Sequence, residues 1–114
     1  MITIDDFQKC EIKMGKILSA EKIEGSEKLL KLMVDLGEAE PRQILSGVAK
    51  VVSDPAELMG KMVPFIANLE PRMIMGMESR GMMLCADDPS TALGAGGPVF
   101  LHPAREVAPG SRVK

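Results

Sequence analysis

Leucine or valine stands at every second position, from Leu30 to Leu36, of the stretch Leu29-Leu30-Lys31-Leu32-Met33-Val34-Asp35-Leu36-Gly37. A period of 2 is typical of a β-strand with one face in the core. Gly37 ends this strand, and Glu38-Ala39-Glu40-Pro41 has the composition of a turn. Arg42–Leu45 is then predicted to return as the next strand.

A longer strand is predicted upstream, over Cys10–Ile23. Its apolar residues alternate with lysines, but they also fit a helical period of 3.6, so a helix is the alternative. Gly15 inside the run and the turn Glu24-Gly25-Ser26-Glu27 after it favour the strand. In a strand, Gly15 would allow a bend.

Downstream, Asp54–Gly60 has an Asp cap, a proline at the first helical position and a final glycine, which predict a short helix. Lys61–Leu69 is a fourth strand, where Pro64 indicates an edge or a bulge. Met82–Ala86 is a fifth strand. Five strands with one helix between the third and the fourth predict an all-β, Greek-key barrel of the OB-fold class. Shorter elements are a helical turn capped by Thr3, a loop over Asp87–Pro98, and tail strands at Val99–Leu101 and Arg112–Val113.

The composition limits the size of the fold and the classes of function open to the chain. The 114 residues weigh 12.3 kDa, so we expect one domain over 1–114. Hydrophobic residues make up 46% and charged residues 26%, as in a soluble globular protein. With 14 basic and 16 acidic residues the net charge is −2, which argues against a non-specific polyanion binder. Any nucleic-acid site must therefore be a local patch.

Several chemistries are excluded by what the chain lacks. Cys10 and Cys85 are too far apart for a disulfide framework or a CxxC pair, and His102 is the only histidine. Zinc sites of the usual Cys/His kind are therefore ruled out, and so is a catalytic triad that needs a second imidazole. Gly94–Pro98 runs into a proline and a strand, so we predict a flexible loop and neither a phosphate loop nor a cofactor site. With no signal peptide or membrane span, we expect a cytoplasmic, reduced protein whose two cysteines pack in the core.

Methionines and aromatic residues bear on the binding chemistry. Met73, Met75 and Met77 alternate as on one face of a strand. Adaptable core filling is the first interpretation of this group, and an apolar contact surface for a partner is the second. The chain has three Phe and no Trp or Tyr, which disfavours stacking of single-stranded DNA. Recognition of a structured RNA through phosphate contacts and shape remains open.

Ten different short motifs follow one another along nearly the whole chain. They are Ile4-Asp5-Asp6-Phe7, Met14-Gly15-Lys16-Ile17, Glu27-Lys28-Leu29-Leu30, Val34-Asp35-Leu36-Gly37, Pro41-Arg42-Gln43-Ile44, Ser46-Gly47, Leu58-Met59-Gly60-Lys61, Asn68-Leu69-Glu70-Pro71-Arg72, Glu78-Ser79-Arg80-Gly81-Met82-Met83-Leu84 and Val107-Ala108-Pro109-Gly110-Ser111-Arg112-Val113. This set resembles the tRNA-binding domain family. Its members occur at the C-terminus of bacterial methionyl-tRNA synthetases, as a separate synthetase β subunit, and as a free-standing dimeric tRNA-binding protein.

The resemblance implies an OB-fold homodimer that grips the outer corner of tRNA. By position, Lys28, Arg42 and Arg72 match the family's phosphate-contacting residues. Asn68 and Ser79 match its polar contacts, and Met82 matches its apolar contact beside the RNA. For Ser79 the alternative is a tight turn that leads into the fifth strand. The implied dimer interface comprises the terminal extensions 1–9 and 99–114.

We therefore expect a non-catalytic module that binds tRNA in trans and aids a methionyl-tRNA synthetase. The alternative is a dimeric, peptide-binding, secretion-chaperone-like protein of the same fold, which the methionines and the acidic balance would suit. Ser79, Met82 and Lys28 favour the tRNA interpretation. Glu24–Glu27 and Met73 depart from the family pattern and reduce local positive charge. The Met1 start and the Val113-Lys114 end lead us to expect an intact protein.

Overall fold

The computed structural model describes residues 1–89 and 97–114, so part of the predicted glycine-rich loop lies outside the described residues. A short helix, α1, covers Ile4–Gln8. Thr3 caps it, because its hydroxyl accepts from the Asp6 amide at 3.1 Å while the Asp6 carboxylate accepts from the Thr3 amide at 3.1 Å. No residue of α1 is buried.

Nine strands follow in the described part of the chain, numbered here in chain order. They are β1 (Ile12–Lys22), β2 (Leu30–Asp35), β3 (Arg42–Ser46), β4 (Met62–Ile66), β5 (Arg72–Ile74), β6 (Met77–Ser79), β7 (Met82–Met83), β8 (Cys85–Asp88) and β9 (Gly97–Phe100). Five of them form an antiparallel sheet in the order β3-β2-β1-β4-β7. The OB-fold prediction is thus confirmed, and β5–β6 and β8–β9 are added hairpins.

The core follows the period-2 pattern on β2. Leu30, Leu32 and Val34 have no exposed surface. They pack with residues that alternate inward from the neighbouring strands, Ile17, Ile44, Val63 and Phe65. Burial of each such side chain contributes about 1.5–3 kcal/mol, so this one face specifies the register of the sheet.

The long strand β1 is confirmed, and its helical alternative is wrong. Its irregularity is a bulge between Ile17 and Ser19, where the register to β2 shifts, rather than the bend predicted at Gly15. Gly15 is required by packing. A Cβ at this position would lie 2.6 Å from Val34 Cγ1 and 2.7 Å from Phe65 Cδ1.

Two other predicted elements need correction. The helix predicted over Asp54–Gly60 is a 3₁₀ turn, Pro55–Leu58, capped by the Asp54 carboxylate, which accepts from the Ala56 amide at 3.0 Å. A second 3₁₀ turn covers Ala49–Val51. Pro64 lies on an inner strand in an unbroken register with β1, although an edge or a bulge was predicted. Its carbonyl accepts from the Leu84 amide, on the side away from β1, so the missing N–H leaves the β1–β4 ladder intact.

The predicted fifth strand is divided. Met82–Met83 pairs with β4, whereas Cys85–Asp88 pairs with β9, which begins at Gly97. The change of partner at Leu84 turns the chain out of the barrel sheet. The end of the predicted loop, Gly97 and Pro98, is therefore strand.

The hairpin β5–β6 was not predicted, and it changes the interpretation of Met73, Met75 and Met77 as one face of a strand. Met75 and Gly76 form its turn, with φ of 52° and 78°. Since Met73 pairs with Glu78 while Ile74 pairs with Met77, Met73 and Met77 lie on opposite faces. Met73 is 67% exposed and Met75 52% exposed, so the prediction of core filling is wrong for both.

The C-terminal tail pairs with β1. The Met14 amide donates to the Ser111 carbonyl at 2.8 Å, and the Gly110 amide donates to the Met14 carbonyl at 2.7 Å. Arg112 forms a bridge with Lys13, which agrees with the predicted tail strand. Nearby, Cys10 is exposed, so its expected place in the core is wrong. No helix in the described residues is long and apolar enough to cross a membrane.

Candidate nucleic-acid interface

An open groove of about 570 Å³ lies between the end of β3, strand β5 and the β7–β8 segment; we call it the β3–β7 groove. Apolar side chains dominate its lining, among them Leu29, Leu45, Ile74 and Met82. Cys85 also lines it, and partial burial raises the pKa of this thiol, so it stays protonated at neutral pH. Among the described residues that line it, Arg72 is the only charged one.

Arg72 opens β5, and its side chain is exposed. Within residues 1–89 and 97–114 its guanidinium has no ion pair and no hydrogen bond. Met82 lines the same groove and is 43% exposed, whereas its neighbour Met83 points into the core at 7%. A free guanidinium can bind a phosphate with two parallel hydrogen bonds, and a thioether can lie against a base.

Lys28 directly precedes Leu29, which lines this groove. The preceding turn is fixed by Ser26, whose hydroxyl accepts from the amides of Lys28 at 3.3 Å and Leu29 at 3.1 Å. The Lys28 carbonyl accepts from the Ala49 amide at 3.0 Å, while its side chain is exposed. The backbone is thus fixed and the ammonium group is in solvent.

Arg42 behaves differently, because all three of its guanidinium nitrogens donate to the protein. Its Nε and Nη2 bind the two carboxylate oxygens of Glu38 at 2.7 Å each. Its Nη1 donates to the backbone carbonyls of Ala67 and Arg80. The side chain is 16% exposed. In this structure the guanidinium joins three segments of the chain.

Asn68 and Ser79 also make bonds inside the protein. The Asn68 carbonyl oxygen accepts from the Glu11 amide at 2.8 Å, and its amide donates to the Lys9 carbonyl at 2.7 Å. Ser79 is 4% exposed. Its hydroxyl accepts from the Leu45 amide at 3.0 Å and donates to the Gly81 carbonyl at 3.3 Å. The alternative given above for Ser79, a turn residue, matches this geometry.

Comparisons with known proteins agree with this architecture. The family model described as "Putative tRNA binding domain" matches residues 12–112. The chain belongs to the tRNA-binding domain family. Over 113 residues, this tRNA-binding domain is 50% identical to the methionine–tRNA ligase of Methanocella arvoryzae. That alignment covers 99% of the domain but 15% of the ligase, so the chain spans a small part of that enzyme's length.

Two solved structures have similar folds. A MetRS-related protein from Pyrococcus horikoshii is 37% identical, with a TM-score of 0.87 over 100% of this chain and 98% of that one. The chaperone CsaA from Bacillus anthracis is 24% identical, with a TM-score of 0.84 over 100% of this chain and 99% of that one. The second likeness concerns the fold alone.

The structure of this tRNA-binding domain thus divides the six predicted residues into two groups. Arg72 and Met82 are exposed in the β3–β7 groove, and Lys28 is exposed next in sequence to its lining residue Leu29. Arg42, Asn68 and Ser79 face protein atoms. The sequence interpretation missed Glu38, although its four-residue spacing from Arg42 was a signal for an ion pair across the turn. It also missed Gln43, whose amide donates to the Glu78 carbonyl at 2.9 Å.

Negative charge lies in the turn before Lys28. Glu24 and Glu27 are exposed in the turn that leads to Lys28. A Cβ built at Gly25 would lie 3.5 Å from Met75 Cε, so the tip of the β5–β6 hairpin touches this turn. Few cationic residues therefore lie at or near the groove, in accord with the net charge of −2.

Proposed function

We propose that this domain binds tRNA in trans by its structure rather than its base sequence, and that it aids a methionyl-tRNA synthetase. The observation that supports this proposal most directly is the β3–β7 groove, where a guanidinium with no partner among the described residues and an exposed thioether share an apolar lining. Arg72 and Lys28 would bind phosphates, and Met82 would lie against an exposed base. Identity to a methionine–tRNA ligase supports the choice of partner.

The three protein-facing residues belong to the proposed site through the segments they hold. Arg42 and Ser79 fix the chain just before Met82. Asn68 joins the end of β4 to the start of β1. Their loss would displace the groove rather than remove one RNA contact. The module supplies no catalytic group, so its effect would come from holding tRNA near a catalytic subunit and raising the effective concentration.

The first experiment is a mobility-shift titration with bulk tRNA at low and physiological salt. We expect Arg72→Ala to weaken binding and to reduce the slope of log K against log salt by about 1, because one phosphate contact is lost. Met82→Ala should weaken binding by about 1 kcal/mol with the slope unchanged, because an apolar contact releases no counterion.

Lys61→Ala is the matched control. Lys61 is exposed and lines a separate cleft with Gly60 and Met62, outside the terminal extensions, so its loss should leave the tRNA affinity nearly unchanged. A flat salt response of the wild type would contradict the phosphate contacts. Absence of wild-type binding at low salt would instead favour the peptide-binding alternative.

We also propose that the domain is a homodimer joined through its terminal extensions. The supporting observation is α1, which buries none of its residues and leaves Ile4 67% exposed and Ile2 72% exposed. Two copies could cover these side chains together. Sedimentation equilibrium should give twice the chain mass for the wild type and a shift towards monomer for Ile4→Asp. A wild type that stays monomeric at every concentration would refute the dimer.

A further inference from the structure

The turn between β2 and β3 carries an acidic residue that binds Arg42 at two points. Both carboxylate oxygens of Glu38 accept from the guanidinium, each at 2.7 Å. Two parallel bonds of this kind fix the plane of the guanidinium as well as its distance. Arg42 also holds the pKa of the Glu38 carboxyl below its usual value, so the carboxylate is ionised at neutral pH.

This orientation directs the remaining nitrogen of Arg42 towards two backbone carbonyls. Nη1 donates to the carbonyl of Ala67, at the end of β4, and to the carbonyl of Arg80 at 3.2 Å. Arg80 lies in the connection between β6 and β7, directly before Gly81 and Met82. A rotation of the guanidinium would therefore release the carbonyl that precedes the groove residue Met82.

The same connection is tied to β3 by further hydrogen bonds. The Arg80 amide donates to the Gln43 carbonyl at 2.9 Å, and the Gln43 amide group donates to the Glu78 carbonyl at 2.9 Å. Ser79 pairs with Arg72 across the β5–β6 hairpin, so this attachment also sets the start of β5. Both Arg72 and Met82 are thus positioned by one contact region with β3.

We infer that Glu38 is a positioning residue for RNA binding, acting through Arg42 to hold the β6–β7 connection and, with it, Met82 and Arg72. This inference rests on the proposed function. The effect on RNA affinity that it predicts for removal of Glu38 is opposite in direction to the effect expected from charge alone. An acidic side chain on an RNA-binding domain should weaken binding by repulsion, so its removal should help. Positioning predicts the opposite, because removal loosens the groove.

The test compares Glu38→Gln with Glu40→Gln. Glu40 is exposed in the same turn and has no bonded partner in the described chain, so its variant removes the same charge without the Arg42 contact. In tRNA titrations at one salt concentration, Glu38→Gln should bind about tenfold more weakly than Glu40→Gln, which corresponds to loss of a charge-assisted hydrogen bond. Equal or tighter binding by Glu38→Gln would overturn the inference, and tighter binding would indicate that the released Arg42 guanidinium reaches a phosphate.

A second readout uses the free protein labelled at the methionine methyl groups. The Met82 methyl resonance, assigned with Met82→Leu, should move in Glu38→Gln and stay in place in Glu40→Gln. An unmoved resonance would refute the positioning role whatever the tRNA result. Should wild-type tRNA binding be absent, the proposed function fails while this measurement still decides the coupling. If Glu38→Gln does not fold, Arg42→Lys keeps the charge but loses the two-point bond, and it should shift the same resonance.

Discussion

At the scale of single residues, a side chain whose donors are bonded within the protein has a different role from one whose donors face solvent. The guanidiniums of Arg42 and Arg72 are the same chemical group, yet one binds Glu38 and two carbonyls while the other faces an open groove. The motifs indicated both positions, but they could not show which way each side chain points. That depends on where β4 ends and where the β6–β7 connection passes, and both are tertiary features.

The turn residue Met75 gives a prediction at this scale. With φ of 52° it occupies the left-handed region, which Asn tolerates far better than Met, and Gly76 follows it in a two-residue hairpin turn. Met75→Asn should therefore raise the free energy of unfolding by about 0.5–1 kcal/mol, measured by urea denaturation. Met59, 54% exposed with φ of −62°, is the control. A similar change for Met59→Asn would contradict the backbone explanation.

At the scale of elements, the sequence predicted those strands that bury apolar side chains and missed those that do not. Strands β1 to β4 all bury apolar residues in a common core, with strict alternation on β2, so their sequence predicted them. The β5–β6 hairpin has exposed methionines at Met73 and Met75, and the chain reverses at Met75 instead of continuing the alternation. The division of the fifth strand was also hidden, because Met83 and Cys85 are similarly apolar whichever strand they pair with.

Strand β1 gives a prediction at this scale. A Cβ at Gly15 would meet Val34 at 2.6 Å and Phe65 at 2.7 Å, and neither side chain has exposed surface through which to move away. Gly15→Ala should lower the free energy of unfolding by about 1–3 kcal/mol through overpacking. Gly47→Ala is the control, because a Cβ there meets nothing within 4 Å. Equal stabilities of the two variants in urea denaturation would show that β1 and its neighbours relax freely.

At the scale of the whole molecule, segments distant in sequence complete the barrel. The C-terminal tail supplies hydrogen bonds to the part of β1 that β2 leaves unpaired, since β2 pairs with β1 from Lys16 onwards. The tail passes so close to the β2–β3 turn that backbone meets backbone at Gly37 and Gly110. The sequence predicted a short tail strand here but not its partner, because an isolated bridge has no hydrophobic period.

This crossing gives the last prediction. At Gly110, with φ of +89°, a Cβ would lie 2.6 Å from the Leu36 carbonyl oxygen. At Gly60, with φ of +83°, a Cβ would meet nothing within 4 Å. Gly60→Ala should therefore show only the backbone strain, a loss of about 1–2 kcal/mol in unfolding free energy. Gly110→Ala adds the clash with the Leu36 carbonyl, so the tail must shift there, and we expect the shift to separate it from β1, to which the Gly110 amide is bonded.

Separation would expose the Met14 amide, which donates to Ser111 at 2.8 Å. Hydrogen exchange should then speed up at Met14 in Gly110→Ala far more than in Gly60→Ala, while the Val34 amide on β2 keeps its protection. Equal exchange at Met14 in both variants would mean that positive φ, not the crossing of the tail, requires glycine at position 110. The tail would then contribute to the barrel without closing it.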